Sequence, residues 1–157
     1  MKQGLGTQLR HLIELLDGAV QQAYVDAGLQ YRPRYTPVMR VLAQQDSATV
    51  GELAAQAGIT QPAATQTVAL MKKEGLLLVE ASGADARQRM VRLSPAGQAL
   101  LPSLQACWQA TRGAADSLDA ELDFPLSICL AQAIAVLERR SFGERIRAAK
   151  QTTRPTT

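Results

Sequence analysis

Apolar residues at Leu5, Leu9, Leu12, Ile13, Leu16, Val20, Ala23 and Ala27 recur at helical spacing, which marks one face of an amphipathic helix. The pattern predicts a first helix over residues 6–29. The run YRPRY then stops it, because Pro33 pushes the residue before it out of the helical region. Thr36 followed by Pro37 predicts an N-cap and a first-turn proline, and VMRVLAQQ follows as a short helix. Thr49 with Glu52 three residues later fits a capping box. ELAAQA continues that helix, and Gly58 is placed to end it in the left-handed conformation. A helix restarts almost at once, with either Thr60 or Gln61 as its N-cap, and runs through AATQTVALMKKE to Gly75. Two helices joined by a tight turn at 58–60 make a helix-turn-helix pattern.

The period then changes from helical to alternating. Residues 76–80 predict one strand, 81–88 a polar loop and 89–93 a second strand, with Val91 and Leu93 on one face and Arg92 on the other. Ser94-Pro95 caps a long helix, which Pro102 bends and which Gly113 and the acidic LDAELDF loosen or end. A last helix is expected over 125–147, and the tail 148–157 is expected to be disordered. The predicted fold class is mainly α with a small β-hairpin wing. A winged helix-turn-helix lobe would span 36–94, flanked by helical segments over 1–31 and 95–147.

Composition narrows the core more than the function. Of 157 residues, 46% are hydrophobic but only 4% aromatic, so the core must be aliphatic. The net charge of +3 is modest and by itself names no partner. Its distribution says more. Residues 32–92 hold eight Lys/Arg against five Asp/Glu, 93–137 one against four, and 138–157 six against two. No apolar run approaches the ~20 residues of a membrane helix, so no membrane partner is expected. The N-terminal stretch reads as an amphipathic helix rather than a signal peptide. With two cysteines in the whole chain, a cytoplasmic location is expected.

The cationic loop carries the candidate chemistry. A hairpin tip that only turns would use Asn-Gly or Gly-Gly, whereas this one reads ADARQR, with Asp85, Arg87 and Arg89. The second helix of a helix-turn-helix can enter the major groove with its N-terminal residues toward base edges. Those residues are Gln61, Pro62, Ala63, Thr65 and Gln66. Glutamine can pair with adenine, and threonine or alanine can touch a thymine methyl. Lys72 and Lys73 sit at the far end, where they could meet phosphate. The wing tip would approach the backbone or a narrow minor groove, whose potential attracts arginine. Arg87 would reach out. Asp85 would orient Arg89 through a carboxylate pair, and for Arg89 a structural ion pair is as good a reading as DNA contact. Double-stranded DNA is therefore the expected partner.

Asp-x-Arg-x-Arg at residues 85–89, then Val91-x-Leu93-Ser94-Pro95-x-Gly97, together with GELAAQAGITQPAATQTVALMKKEGLL upstream, resembles the MarR family of bacterial transcriptional regulators. The resemblance covers nearly the whole chain. It implies a triangular homodimer in which 1–31 and 95–147 supply dimerisation helices and each lobe reads half of a pseudo-palindrome. It also implies a repressor that releases DNA when a small, often phenolic, effector binds between the dimer region and the lobe. His11, Tyr31, Arg34 and Tyr35 are the residues expected at that effector pocket. Relatives often carry arginine where this chain has Gln66, so a relative's operator does not transfer.

The remaining candidates are weaker. Cys107 and Cys129 invite a redox reading, but a sensing thiol needs a low pKa and access to solvent, and Cys129 lies in an apolar run. A single histidine and two distant cysteines do not make a metal site, and no cofactor is expected. No glycine-rich cofactor loop or nucleophile–histidine pair supports an enzyme. The rival from another class is a dimeric winged-helix interaction module without specific DNA readout.

Overall fold

The computed structural model describes residues 4–81, 83 and 88–152. The chain divides into two compact units, 1–109 and 110–157. In the first, α1 (Leu5–Asp26) leads through a single 3₁₀ turn, Pro33–Tyr35, into α2 (Thr36–Leu42). Then come β1 (Ala48–Thr49), α3 (Val50–Ala57), α4 (Gln61–Lys73), β2 (Leu77–Ala81) and β3 (Arg89–Leu93). Helix α5 (Pro95–Glu121) begins in this unit and ends in the second, which also holds α6 (Leu126–Arg139) and α7 (Phe142–Thr152).

Local rules account for the helix-turn-helix. The Thr49 hydroxyl accepts from Glu52 N at 3.2 Å, and the Glu52 carboxylate accepts from Thr49 N at 2.7 Å, so the capping box is complete. Gly58 takes φ 66°, which a side chain would resist. Ile59 N then bonds back to Ala54 O at 3.1 Å. Thr60 caps α4, its hydroxyl accepting from Ala63 N at 3.3 Å, with Pro62 in the first turn. Of the two N-cap candidates it is Thr60 that serves, while Gln61 is the first helical residue.

The sheet has three antiparallel strands in the order β1-β3-β2. The expected two-stranded hairpin is thus completed by β1, with Ala48 opposite Val91 and Thr49 opposite Met90. Val91 and Leu93 are buried and Arg92 exposed, as the alternation predicts. The core beneath the sheet gathers Val38, Met39, Leu53, Met71, Leu77 and Val91. At its edge Ser94 ties strand to helix: its hydroxyl donates to Gly75 O at 2.6 Å and accepts from Gly97 N at 3.0 Å. A Cβ on Gly97 would collide with the Leu76 carbonyl, so this glycine allows the close approach of α5 to the wing.

Several expectations need correction. Helix α1 stops at Asp26, short of residue 29, because the chain turns at Gly28 with Leu29 N bonding back to Tyr24 O. Thr36 is not an N-cap; it is the first residue of α2, and its hydroxyl serves Tyr24 and Tyr31. Gly113 does not interrupt α5, which runs on to Glu121 and so ends within the acidic LDAELDF segment, as expected. The single last helix is in fact two. Arg140 is extended, and Ser141 caps α7 by accepting from Glu144 N at 3.3 Å. Residues 148–152 are helical, not part of a disordered tail, and the remainder of that tail lies outside the described residues.

Candidate nucleic-acid interface

Helix α4 buries Ala64, Thr67, Val68 and Met71, the spacing of one inward stripe. Its opposite side is therefore set by geometry. Pro62, Gln66, Ala69 and Lys73 form the outward row, with Gln61, Thr65 and Lys72 beside it, and all seven are exposed. Ala63 lies on the flank, half-buried. The Thr65 hydroxyl donates to Gln61 O at 2.9 Å. Its proton is committed to the helix, and what remains for a partner is the methyl group and a lone pair. Lys72 and Lys73 sit in the last turn, where cations also suit the helix dipole.

The segment before α2 is fastened to α4 at three points. Arg34 Nη2 donates to Gln66 Oε1 at 3.1 Å. The Tyr35 hydroxyl donates to Glu74 Oε1 at 2.9 Å, and Arg32 Nη2 meets the same carboxylate oxygen at 3.2 Å. Burial, reinforced by the neighbouring Glu74 carboxylate, pushes the Tyr35 phenol above its ordinary value, so it stays a proton donor. The sequence pattern does not single out Glu74. Its signal is an acid at a helix C-terminus, which the dipole disfavours and which a tertiary cation compensates.

Behind this segment the three tyrosines stack edge to face. Tyr24 and Tyr31 have centroids 4.9 Å apart, and Tyr31 and Tyr35 5.8 Å. Trp108 Nε1 donates to the Tyr24 hydroxyl at 3.1 Å, which leaves that hydroxyl's proton for Thr36 Oγ1 at 3.3 Å. Tyr31 also donates to Thr36 Oγ1, at a long 3.5 Å. Burial raises the Tyr31 phenol strongly, so it remains neutral. The Arg40 guanidinium covers the Trp108 ring, 5.1 Å from its centroid.

An open groove of about 990 Å³ lies between α1 and the 3₁₀ turn, bordered by Asp17, Gln21, Val25, Leu29, Arg32 and Arg34. Of the residues expected at an effector pocket, Arg34 and Tyr31 border it. Tyr31 is only 1% exposed, and its carbonyl accepts from Gln21 Nε2 at 3.0 Å. Tyr35 is wholly buried and His11 stands exposed beside Glu14; neither is among the lining residues.

On the wing, Arg89 opens β3 opposite Ala81 and is exposed. Asp85 and Arg87 lie outside the described residues, and with them the expected Asp85–Arg89 pair. Arg92 is held by Glu80 at 2.7 Å. Cys129 is exposed and Cys107 half-buried. Among the described residues no three His, Cys, Asp or Glu side chains gather as metal ligands.

A tight helix pair whose second member turns a polar row outward, backed by an antiparallel wing, defines a winged helix-turn-helix. This is the class of fold that lays one helix in a DNA groove. Residues 28–88 match the model of the MarR family. The chain is similar to the Mycobacterium tuberculosis regulator MosR solved with DNA, at 24% identity over 97% of this chain and 100% of that one, TM-score 0.64. It is similar to a MarR family transcriptional regulator from Silicibacter pomeroyi, at 26% identity over 85% and 93%, TM-score 0.58. It also resembles Bordetella bronchiseptica BpsR, whose DNA binding is regulated by 6-hydroxynicotinic acid, at 20% identity over 88% and 94%, TM-score 0.56. No curated protein was found to match. The lobe thus matches the MarR family model, and the chain carries the fold of these solved regulators.

Proposed function

We propose that the protein is a sequence-specific DNA-binding transcriptional repressor that acts as a homodimer on a pseudo-palindromic site. The observation that carries the reading is the outward row of α4, where Gln66 stands between Pro62 and Lys73 with Gln61, Thr65 and Lys72 alongside. Donors and acceptors at the N-terminal half suit base edges, and the paired lysines at the far end suit phosphate. Arg89, with Arg87 ahead of it in sequence, would contact backbone or minor groove.

The homodimer reading rests on apolar surface. Helices α6 and α7 bury no residue within the chain, yet they carry Ile128, Ile134, Leu137, Phe142 and Ile146, all exposed. Helix α1 likewise exposes Leu5, Leu9, Ile13 and Leu16. Apolar helix faces of this extent mark association sites, and a second copy is the occupant that a two-fold DNA site requires.

The groove beside α1 is the proposed effector site. Two of its bordering residues, Arg32 and Arg34, are also the ones bonded to Glu74 and Gln66 of α4. A small molecule there would compete for these cations, and a carboxylate would do so best. It would release DNA only by favouring a state whose two recognition helices no longer fit adjacent grooves.

Selection from a pool of randomised duplexes tests the reading. A two-fold symmetric sequence should be enriched, with half-sites about one helical turn apart. Arg87→Ala should weaken binding and flatten its salt dependence. Weak affinity that fades with salt, with no sequence enriched, would favour an interaction module instead.

A further inference from the structure

Gln66 is the one residue on the outward row of α4 whose amide is held by a residue from another element. Arg34 Nη2 donates to its Oε1 at 3.1 Å, across 32 residues of sequence. A guanidinium has donors only, so the amide orientation follows from chemistry: the oxygen faces Arg34 and the NH₂ end is left for a partner. Arg34 in turn stands on a fixed platform. Pro33 before it restricts the backbone, Tyr35 after it is wholly buried, and Tyr35 N closes the 3₁₀ turn on Arg32 O at 2.9 Å. Arg32, at the N-cap of the turn, and Tyr35, at its end, both bond Glu74, the C-cap of α4.

We propose that Arg34 is a positioning residue for base recognition, holding the Gln66 amide so that α4 presents a hydrogen-bond donor to DNA. This rests on the reading that α4 enters the major groove. A free glutamine can take adenine in a bidentate pair, accepting from N6 and donating to N7. Here one lone pair of the accepting oxygen is taken by Arg34, and a cation beside it repels a further donor such as N6. The donor end suits guanine, whose N7 and O6 are both acceptors in the major groove. Remaining guanidinium protons of Arg34 lie next to the same edge and reinforce that preference. Gln66 and Arg34 together thus read guanine at one position of each half-site.

The test uses the full-length protein and the duplex that it selects. Wild type, Arg34→Ala, Gln66→Ala and the double variant are compared for affinity and for base preference at every position. Thermal unfolding followed by the fluorescence of Trp108, the only tryptophan, reports whether each variant is folded. Each single variant should lose on the order of tenfold in affinity and lose the guanine preference at the same position. The double variant should be no worse than either single, because the two side chains act as one unit. Replacing that guanine by 7-deazaguanine should weaken wild type and leave Gln66→Ala unaffected. Arg34→Lys, which keeps a charged donor, should recover part of the preference. A uniform loss in Arg34→Ala with the base preference intact, or additive losses in the double variant, would overturn the inference while leaving DNA recognition standing. If wild type enriches no sequence, both fail together.

Discussion

Tyr24 shows how much a single hydroxyl organises. It accepts from Trp108, 84 residues away in sequence, and stands 3.3 Å from Thr36, so it joins α5 to the start of α2. Tyr24→Phe should cost about 1 kcal/mol, since it removes the acceptor of the half-buried indole N–H; urea unfolding followed by Trp108 fluorescence would measure it. Gly97→Ala should cost a similar ~1–3 kcal/mol, because its Cβ meets backbone that must shift; the same unfolding curve reads it. Sequence alone makes Gly97 legible as part of a turn signature but not as a close contact. The tyrosines are harder still. Their scarcity marks them, but whether a phenol packs or faces a ligand depends on distant partners, as Tyr35 depends on Glu74, 39 residues away. Likewise the outward position of Gln66 follows from helical spacing, while its bond to Arg34 does not.

At the scale of elements, what is coded locally is legible. The capping box at Thr49, the turn at Gly58 and strand β3 stand where the pattern puts them. Strand β1 was not legible because it is two residues long and exists only through pairing with β3. The break before α7 was legible in principle, since Ser141 and Glu144 repeat the capping-box spacing, but the basic run around them hides it. Thr60→Ala should destabilise the lobe by about 1 kcal/mol through loss of the α4 cap, read by denaturant midpoint. Helix α7 should respond to acid. Hydrogen bonds from Ser141, side chain first and then backbone, hold the Glu144 carboxyl below its ordinary value of 4.5. A lowered value means that the stabilisation is complete above the unfolded carboxyl's pKa and is lost as pH falls through the folded one. Far-UV circular dichroism should therefore show helix loss on acidification below about that value, and Glu144→Gln should remove that part of the change.

For the whole molecule, the question is what covers the apolar faces of α1, α6 and α7. Composition shows them as apolar helices; only the structure shows that α6 and α7 bury nothing within the chain. Among the described residues no single helix is long and apolar enough to cross a membrane. If a second copy is the occupant, Ile134→Glu should shift the protein toward monomer in sedimentation velocity and reduce affinity for a symmetric duplex. The shift follows because a charge would have to be buried unpaired in the interface. A ligand-dependent repressor further requires that both lobes of one dimer engage DNA together. The most direct measurement is sedimentation equilibrium of the protein with its selected duplex, beside a duplex in which one half-site is scrambled. Two chains per duplex bound in a single step, with both lost when one half-site is scrambled, is the predicted result. One chain per duplex, indifferent to the second half-site, would contradict a dimeric regulator.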